Sequence, residues 1–402
     1  MASALLAVGC GGGGSSAQPP SSGLTVTSTA QSTATVTWTM EPGVEYWLFY
    51  APTALAPTNT TSADKWIGIP GGNTIVKAAS PATIPNLVNG TSYSFTINGR
   101  KNGGPGGPIL TPVTVTPQAA GTQWVASSPN PMGTQDLHGV GVGNAYVAVG
   151  DKGAMFASAD GVNWGPINPI TTNNLKAVAY TAASGYYAVG DNGTLLRSTD
   201  AISWTPQSTG SSVNFTGVAT NGTTTIIVGS GGTILTSTDG VTWTPPTLPA
   251  TSADLLSATF LGGAFYASGV GGTLVYSSDG QTWVTRTTNT TADLRAVSYG
   301  SSLTSASGAV FLAGGANGTL VTSTDGLAWT VQTLPVSDIY AIELGLQFVI
   351  VGAGGAIFTS PDGLTWTALN SPTTNTLYAL GYGSGNGTFV SVGAKGTSIN
   401  SH

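Results

Sequence analysis

The sequence predicts an all-β protein, on three observations. Only 6% of the 402 residues are Asp, Glu, Lys or Arg, against about a quarter in ordinary soluble domains. Gly (58 residues), Ser, Thr and Asn take the polar places instead. These residues weaken helices or compete for helical backbone bonds, and they suit turns and short strands. Polar and apolar residues alternate in short runs such as "ATVTWTM" at 34–40, the period of a half-buried strand. Tryptophan recurs at 124, 164, 204, 243, 283, 329 and 366, and self-similarity at a fixed period of about 40 marks a repeat architecture. The formal charge is −6, and the ten basic residues are scattered singly. A nucleic-acid partner needs a basic stripe, so this partner class is excluded.

The single cysteine, Cys10, allows no internal disulfide. It follows "LLAVG" and precedes "GGGGSSAQPPSSG". An apolar run, a small residue at position 9 and then Cys resemble a bacterial lipobox, with Ala7 where Leu is usual. The resemblance implies that Cys10 is lipidated and that Gly11 after it favours the outer membrane. Residues 1–22 are therefore expected to be a lipobox followed by a flexible tether reaching at most about 45 Å. Elsewhere no segment is long and apolar enough to read as a membrane-spanning helix.

Residues 23–118 read as a sandwich of seven short strands. "LTVTST", "ATVTWTM", "EYWLFYAP", "KWIGIPG", "ATIPNLVNGTSYSFTINGR" and "ILTPVTVTP" carry them, with turn signals between. Trp38 in the second strand, and Leu87 with Tyr93 in "NLVNGTSYSF", resemble a fibronectin type III module and its tyrosine corner. The resemblance implies that Trp38 and Tyr93 are core residues and that the module is a spacer or adhesion unit.

Residues 119–402 are a repeat array. Each unit opens on a run such as "DLRAV", passes a glycine hairpin such as "GDKGA" or "GVGGT", and reaches a box such as "TSTDGVTW". Seven openings and seven hairpins are present, so the array is expected to be a seven-bladed β-propeller of four-stranded units. The fifth unit is enlarged around 300–308. The chain stops at "GTSINSH", where a seventh box is due, and the missing strand with its Trp stands at the other end as "TQWVASS". Both ends of the domain are therefore expected to share one blade, leaving no open sheet edge.

The box resembles the Asp-box or BNR repeat of sialidases and of non-enzymatic propellers, among them the photosystem II assembly and stability factors. Here Asp and Gly are adjacent, and Ala201 replaces the Gly of the second copy. Asp in a tight turn accepts bonds from backbone N–H groups just after it. Six such residues around a ring cannot converge on one substrate. Asp160, Asp200, Asp239, Asp279, Asp325 and Asp362 are therefore read as scaffold.

Positions alike in every unit serve the blade, and positions that vary are free for function. The third position of the first strand reads His138, Lys176, Thr216, Leu256, Arg295, Tyr340 and Tyr378. His138, Lys176, Arg295, Tyr340 and Tyr378 are the candidate binding residues of the top face, since aromatic and Arg side chains dominate contact energetics. The nearly constant Asp136, Asn174, Asn214, Asp254, Asp293 and Asp338 are read as structural. His138 and His402 have no companion ligands for a zinc site, and neither metal nor cofactor is expected.

Sialidase chemistry needs three Arg around a carboxylate, and the array's three, Arg197, Arg286 and Arg295, fall on different faces. Glu343 is its only Glu, so paired-glutamate catalysis lacks a partner. The expected function is a non-catalytic, cell-envelope lipoprotein whose propeller binds a protein or glycan. The alternatives are an accessory subunit or assembly factor of a membrane complex, and a glycoside hydrolase using Asp136, Asp254, Asp293 or Glu343.

Overall fold

The computed structural model describes residues 15–27, 32–57, 62–117, 121–127, 132–247, 251–301, 308–385 and 387–401. They fall in two compact units, Met1–Ala119 and Ala120–His402. Cys10, His402 and the 302–307 part of the enlarged fifth unit lie outside the described residues.

The smaller unit is built of two sheets. Thr25–Thr27, Ala34–Thr37 and Ala82–Ile84 form one. In the other, Glu45–Pro52 lies between Asn73–Ile75 and Tyr93–Lys101. Val36 and Ile84 of the first sheet pack with Tyr46, Leu48, Phe95 and Ile97 of the second, so alternate residues of each strand make the core. Trp38 and Tyr93 are buried, and the Tyr93 hydroxyl accepts the Val88 N–H at 3.1 Å.

Two expectations are corrected here. The tether does not extend to residue 22, because Ser15–Ala17 pair with Gly99–Lys101 and bury Ala17 in the core. "KWIGIPG" is not a strand. Ala63–Trp66 is a single 3₁₀ turn that seats Trp66 against Phe49 and Ala51, and Gly68 and Gly71 at φ +79° and +73° turn the chain away from extension.

The larger unit consists of seven antiparallel sheets, here blades one to seven. Their innermost strands are Leu137–Val142, Leu175–Thr181, Phe215–Thr220, Leu255–Leu261, Leu294–Gly300, Ile339–Leu344 and Leu377–Gly383. Each packs against the next, and the seventh returns to the first, so the sheets close a ring. Blade three ends in a single bridge, Thr236 with Thr244, where the others have a fourth strand. Blade seven takes its fourth strand, Val125–Ala126, from the start of the unit, with Ala126 opposite Ile399 and Val125 opposite Asn400. Trp124 packs on Phe389 of its own blade and on Val349 and Val351 of blade six. Trp164 and Trp204 occupy the same inter-blade position one and two blades on.

Candidate functional site

The box is a closed hydrogen-bond circuit. In all six copies the Ser hydroxyl donates to the Asp Oδ1 at 2.9–3.0 Å. The same Oδ1 accepts two backbone N–H groups after the Gly, at 2.8 and 2.7 Å in the Asp239 copy. Burial raises the Asp160 carboxyl, but bonds from Asn163, Val162 and Ser158 outweigh it and bring it down to about 2. The Thr242 and Val241 N–H groups likewise hold Asp239 below the usual carboxylate range. A partial seventh box, with Ala120 in the sequence where the others have Asp, draws its Ser and its Gly-x-x-Trp from the two ends of the larger unit. The Gly121 N–H donates to Ser401 Oγ at 2.8 Å, and Trp124 Nε1 donates to the Gly121 carbonyl at 3.0 Å. Trp204 makes the latter bond to Ala201 at 3.1 Å. The sequence puts the start of this box and its Trp at the two ends of the unit, but the bond that joins them spans 280 residues and was not legible.

The constant Asp/Asn ring is a set of staples between blades. Asn174, Asn214, Asp254, Asp293 and Asp136 each accept the N–H of the middle hairpin residue of the preceding blade, at 2.6–3.0 Å. The hairpin must end in Gly. At Gly153 φ is +71°, and an added Cβ would lie 1.9 Å from the Thr171 carbonyl oxygen. The sixth member departs from the set, for the Asp338 carboxylate accepts Arg295 Nη1 at 3.0 Å.

Arg295 belongs to the variable ring, and that ring has a backbone cause. In every innermost strand the pairing register shifts across the third position of the repeat, for example between Leu137 and Gly139 and between Leu294 and Ala296. His138, Lys176, Thr216, Leu256, Arg295, Tyr340 and Tyr378 are thus the extra residues of seven β-bulges. A bulge leaves its residue unpaired and re-aims its side chain. All seven line one cavity of about 480 Å³ at the channel mouth.

The chemistry occupies one continuous arc of that mouth. Arg295 lies 5.3 Å from the Tyr340 ring centroid. Tyr340 meets Tyr378 edge-on at 5.0 Å, and Tyr378 is 5.4 Å from His138. His138 Nε2 is 2.7 Å from Asp151 Oδ1, and Lys176 Nζ is 3.9 Å from the same oxygen. Thr216 instead bonds the Leu255 carbonyl at 2.5 Å and belongs to the frame. Burial, with Asp338 and Asp136 respectively as further causes, raises the Tyr340 and Tyr378 hydroxyls. Both stay neutral and able to donate.

Below the mouth stands Glu343, whose burial pushes its carboxyl up to about 7. No second carboxylate joins it among the residues lining the cavity. The Asp136, Asp254 and Asp293 carboxylates accept backbone N–H groups, as above. Arg197 sits over Tyr187 and Arg286 over Tyr276, apart from Arg295. Among the described residues no three His, Cys, Asp or Glu are grouped to hold a metal ion.

No family model matches this chain, and no curated protein does. Solved structures are similar to it. YCF48 from Cyanidioschyzon merolae superposes with a TM-score of 0.55 at 18% identity, covering 69% of this chain and 98% of that one. A structure of YCF48 bound to D1 peptide gives 0.55 at 16%, covering 69% and 96%. The WD40 β-propeller domain of Doa1 gives 0.57 at 14%, covering 70% and 97%. At such identities the likeness is one of fold, and with the seven closed sheets it makes the larger unit a β-propeller.

Proposed function

We propose that this protein is a non-catalytic binding platform whose propeller receives a peptide segment of a protein partner at the channel mouth. One observation carries the reading. Seven equivalent bulges present side chains at one mouth, and five of these differ in charge and ring chemistry yet form a single arc, from Arg295 through Tyr340 and Tyr378 to His138 and, by way of Asp151, to Lys176. Packing alone asks for no such arc. Asp338 adds support, since it leaves the staple role of its five counterparts to hold Arg295. The fold likeness to a YCF48 structure that contains a D1 peptide favours a peptide over a glycan. In this reading Cys10 is lipidated and anchors the chain in the bacterial outer membrane. The smaller unit is a fibronectin type III module acting as a spacer, a view supported by its two-sheet pairing and the Tyr93–Val88 bond.

The test is site-specific crosslinking. A photoreactive amino acid at position 378 is expected to capture a protein from envelope membranes, and the same group at the exposed box residue Val241 is not. Capture of glycan alone transfers the site to the other ligand class. Capture of a membrane-complex subunit makes the protein an accessory or assembly factor. Equal capture from both positions defeats the reading. Cys10→Ala is expected to release the protein from the membrane fraction.

A further inference from the structure

The fifth position of the innermost strands reads Gly141, Ala179, Ala219, Thr259, Ser298, Glu343 and Gly381. Six blades keep it small for a physical reason. An added Cβ on Gly141 would meet Val178 of the next blade at 3.1 Å, and one on Gly381 would meet Val142 at 2.7 Å. Blade six alone places a long, ionisable side chain there. Glu343 lines both the mouth cavity and a second cavity of about 260 Å³ further along the channel. The two share Val140, Val178 and Leu380 as walls, so the bore continues from the mouth. The glycines at 141 and 381 leave the space that the Glu343 side chain faces.

We propose that this bore is a subsite for a primary ammonium group on an aliphatic stem, as a lysine side chain presents, with Glu343 as its counter-charge. The charges at the mouth support a cation over an anion. Lys176 and Arg295 are already paired with Asp151 and Asp338, whereas the Glu343 carboxyl, bonded by the Leu344 backbone N–H, has no paired cation among the residues lining the cavity. The passage from mouth to bore is flanked by the aliphatic Val140, Val178 and Leu380, which fit a methylene stem, and Tyr180 and Tyr382 line the bore beyond. An unpaired carboxylate is costly in such surroundings, and it becomes favourable once a cation lies beside it. Burial raises the Glu343 titration, which a neighbouring cation would lower. An arriving ammonium ion ionises the carboxyl and releases its proton to solvent. Affinity therefore rises with pH until the free carboxyl is itself ionised.

The inference rests on the mouth as the way in, and its test uses no protein partner. The probe is n-butylammonium chloride, added to the full chain carrying ¹³C-carboxyl-labelled glutamate and followed by NMR. Saturable binding is expected, with the Glu343 titration midpoint moving down at saturation. Affinity is expected to fall on the order of tenfold per pH unit below that midpoint, and n-butanol is expected to bind at least tenfold more weakly. Tyr180 and Tyr382 share the bore, while His138, Lys176, Arg295, Tyr340 and Tyr378 stand at the mouth. E343Q isolates the carboxyl from all of these, and in E343Q both the tight binding and its pH dependence are expected to vanish. Equal binding by n-butanol, equal binding by E343Q, or an unmoved Glu343 midpoint overturns the subsite. In each of these outcomes crosslinking from position 378 still tests the mouth separately.

Discussion

Box aspartates and mouth residues answer to different physics, and substitution separates them. Asp239→Ala leaves two backbone N–H groups and the Ser237 hydroxyl without their acceptor. It is expected to lower Tm by a few degrees and to leave mouth binding intact in the folded fraction. Tyr378→Ala or Arg295→Ala opens no core, and each is expected to cost about 1–2 kcal/mol of binding with little change in Tm. Stability against pH follows from the same residues. Asp160 titrates at about 2 when folded, below its unfolded value of about 3.9. Its contribution is complete above pH 4 and is lost as pH falls toward 2. Glu343 has the opposite sign. Its carboxyl is raised from 4.5 to about 7, so its burial costs stability as pH rises across that interval. Thermal melts are expected to peak near pH 4–5 and to decline on both sides, and E343Q is expected to flatten the neutral-side decline.

At the scale of the element, the staple and the bulge divide the work of each blade opening. Asp254→Ala removes the bond to the Gly231 N–H and is expected to cost about 1 kcal/mol of stability, with binding unchanged. Asp338→Ala frees Arg295 and is expected to weaken binding more than it lowers Tm. Equal effects of the two on both readouts would remove the distinction. Strands, hairpins and boxes were legible because each recurs with its own constant residues. The mouth residues were legible as the variable position of an otherwise constant opening. The bulge was not, since adding one residue to every innermost strand leaves the spacing of the repeat unchanged. Asp151 as the partner of both His138 and Lys176 was hidden as well, because it joins a residue of its own blade opening to one of the next blade. "KWIGIPG" misled because Trp66, Ile67 and Ile69 suggest a strand, whereas one buried Trp is satisfied by a single turn.

Across the whole molecule, stability depends on closing the ring. Ser401, Gly121 and Trp124 rebuild part of a box from both ends of the propeller, and Val125–Ala126 fill an edge that would otherwise be open. Trp124→Ala is expected to destabilise the propeller by about 3–5 kcal/mol and to lower its melting as one transition. A loss confined to the seventh blade, seen as amide exchange limited to Leu377–Ser401, would show that the ring is not a cooperative unit. The pairing of the ends was legible in the missing Trp strand, and the Gly121–Ser401 bond that links them was not. The central claim is that the closed ring exists to hold the mouth arc in place. Its most direct test is the affinity of the partner crosslinked at position 378 for the Arg295→Ala/Tyr340→Ala/Tyr378→Ala variant, with Asp239→Ala as the stability control. The account predicts a loss on the order of 100-fold or more for the triple variant and wild-type affinity for the control. Undiminished binding by the triple variant, together with loss on changing Tyr50 or Lys65 in the smaller unit, would contradict it and make that unit the reader.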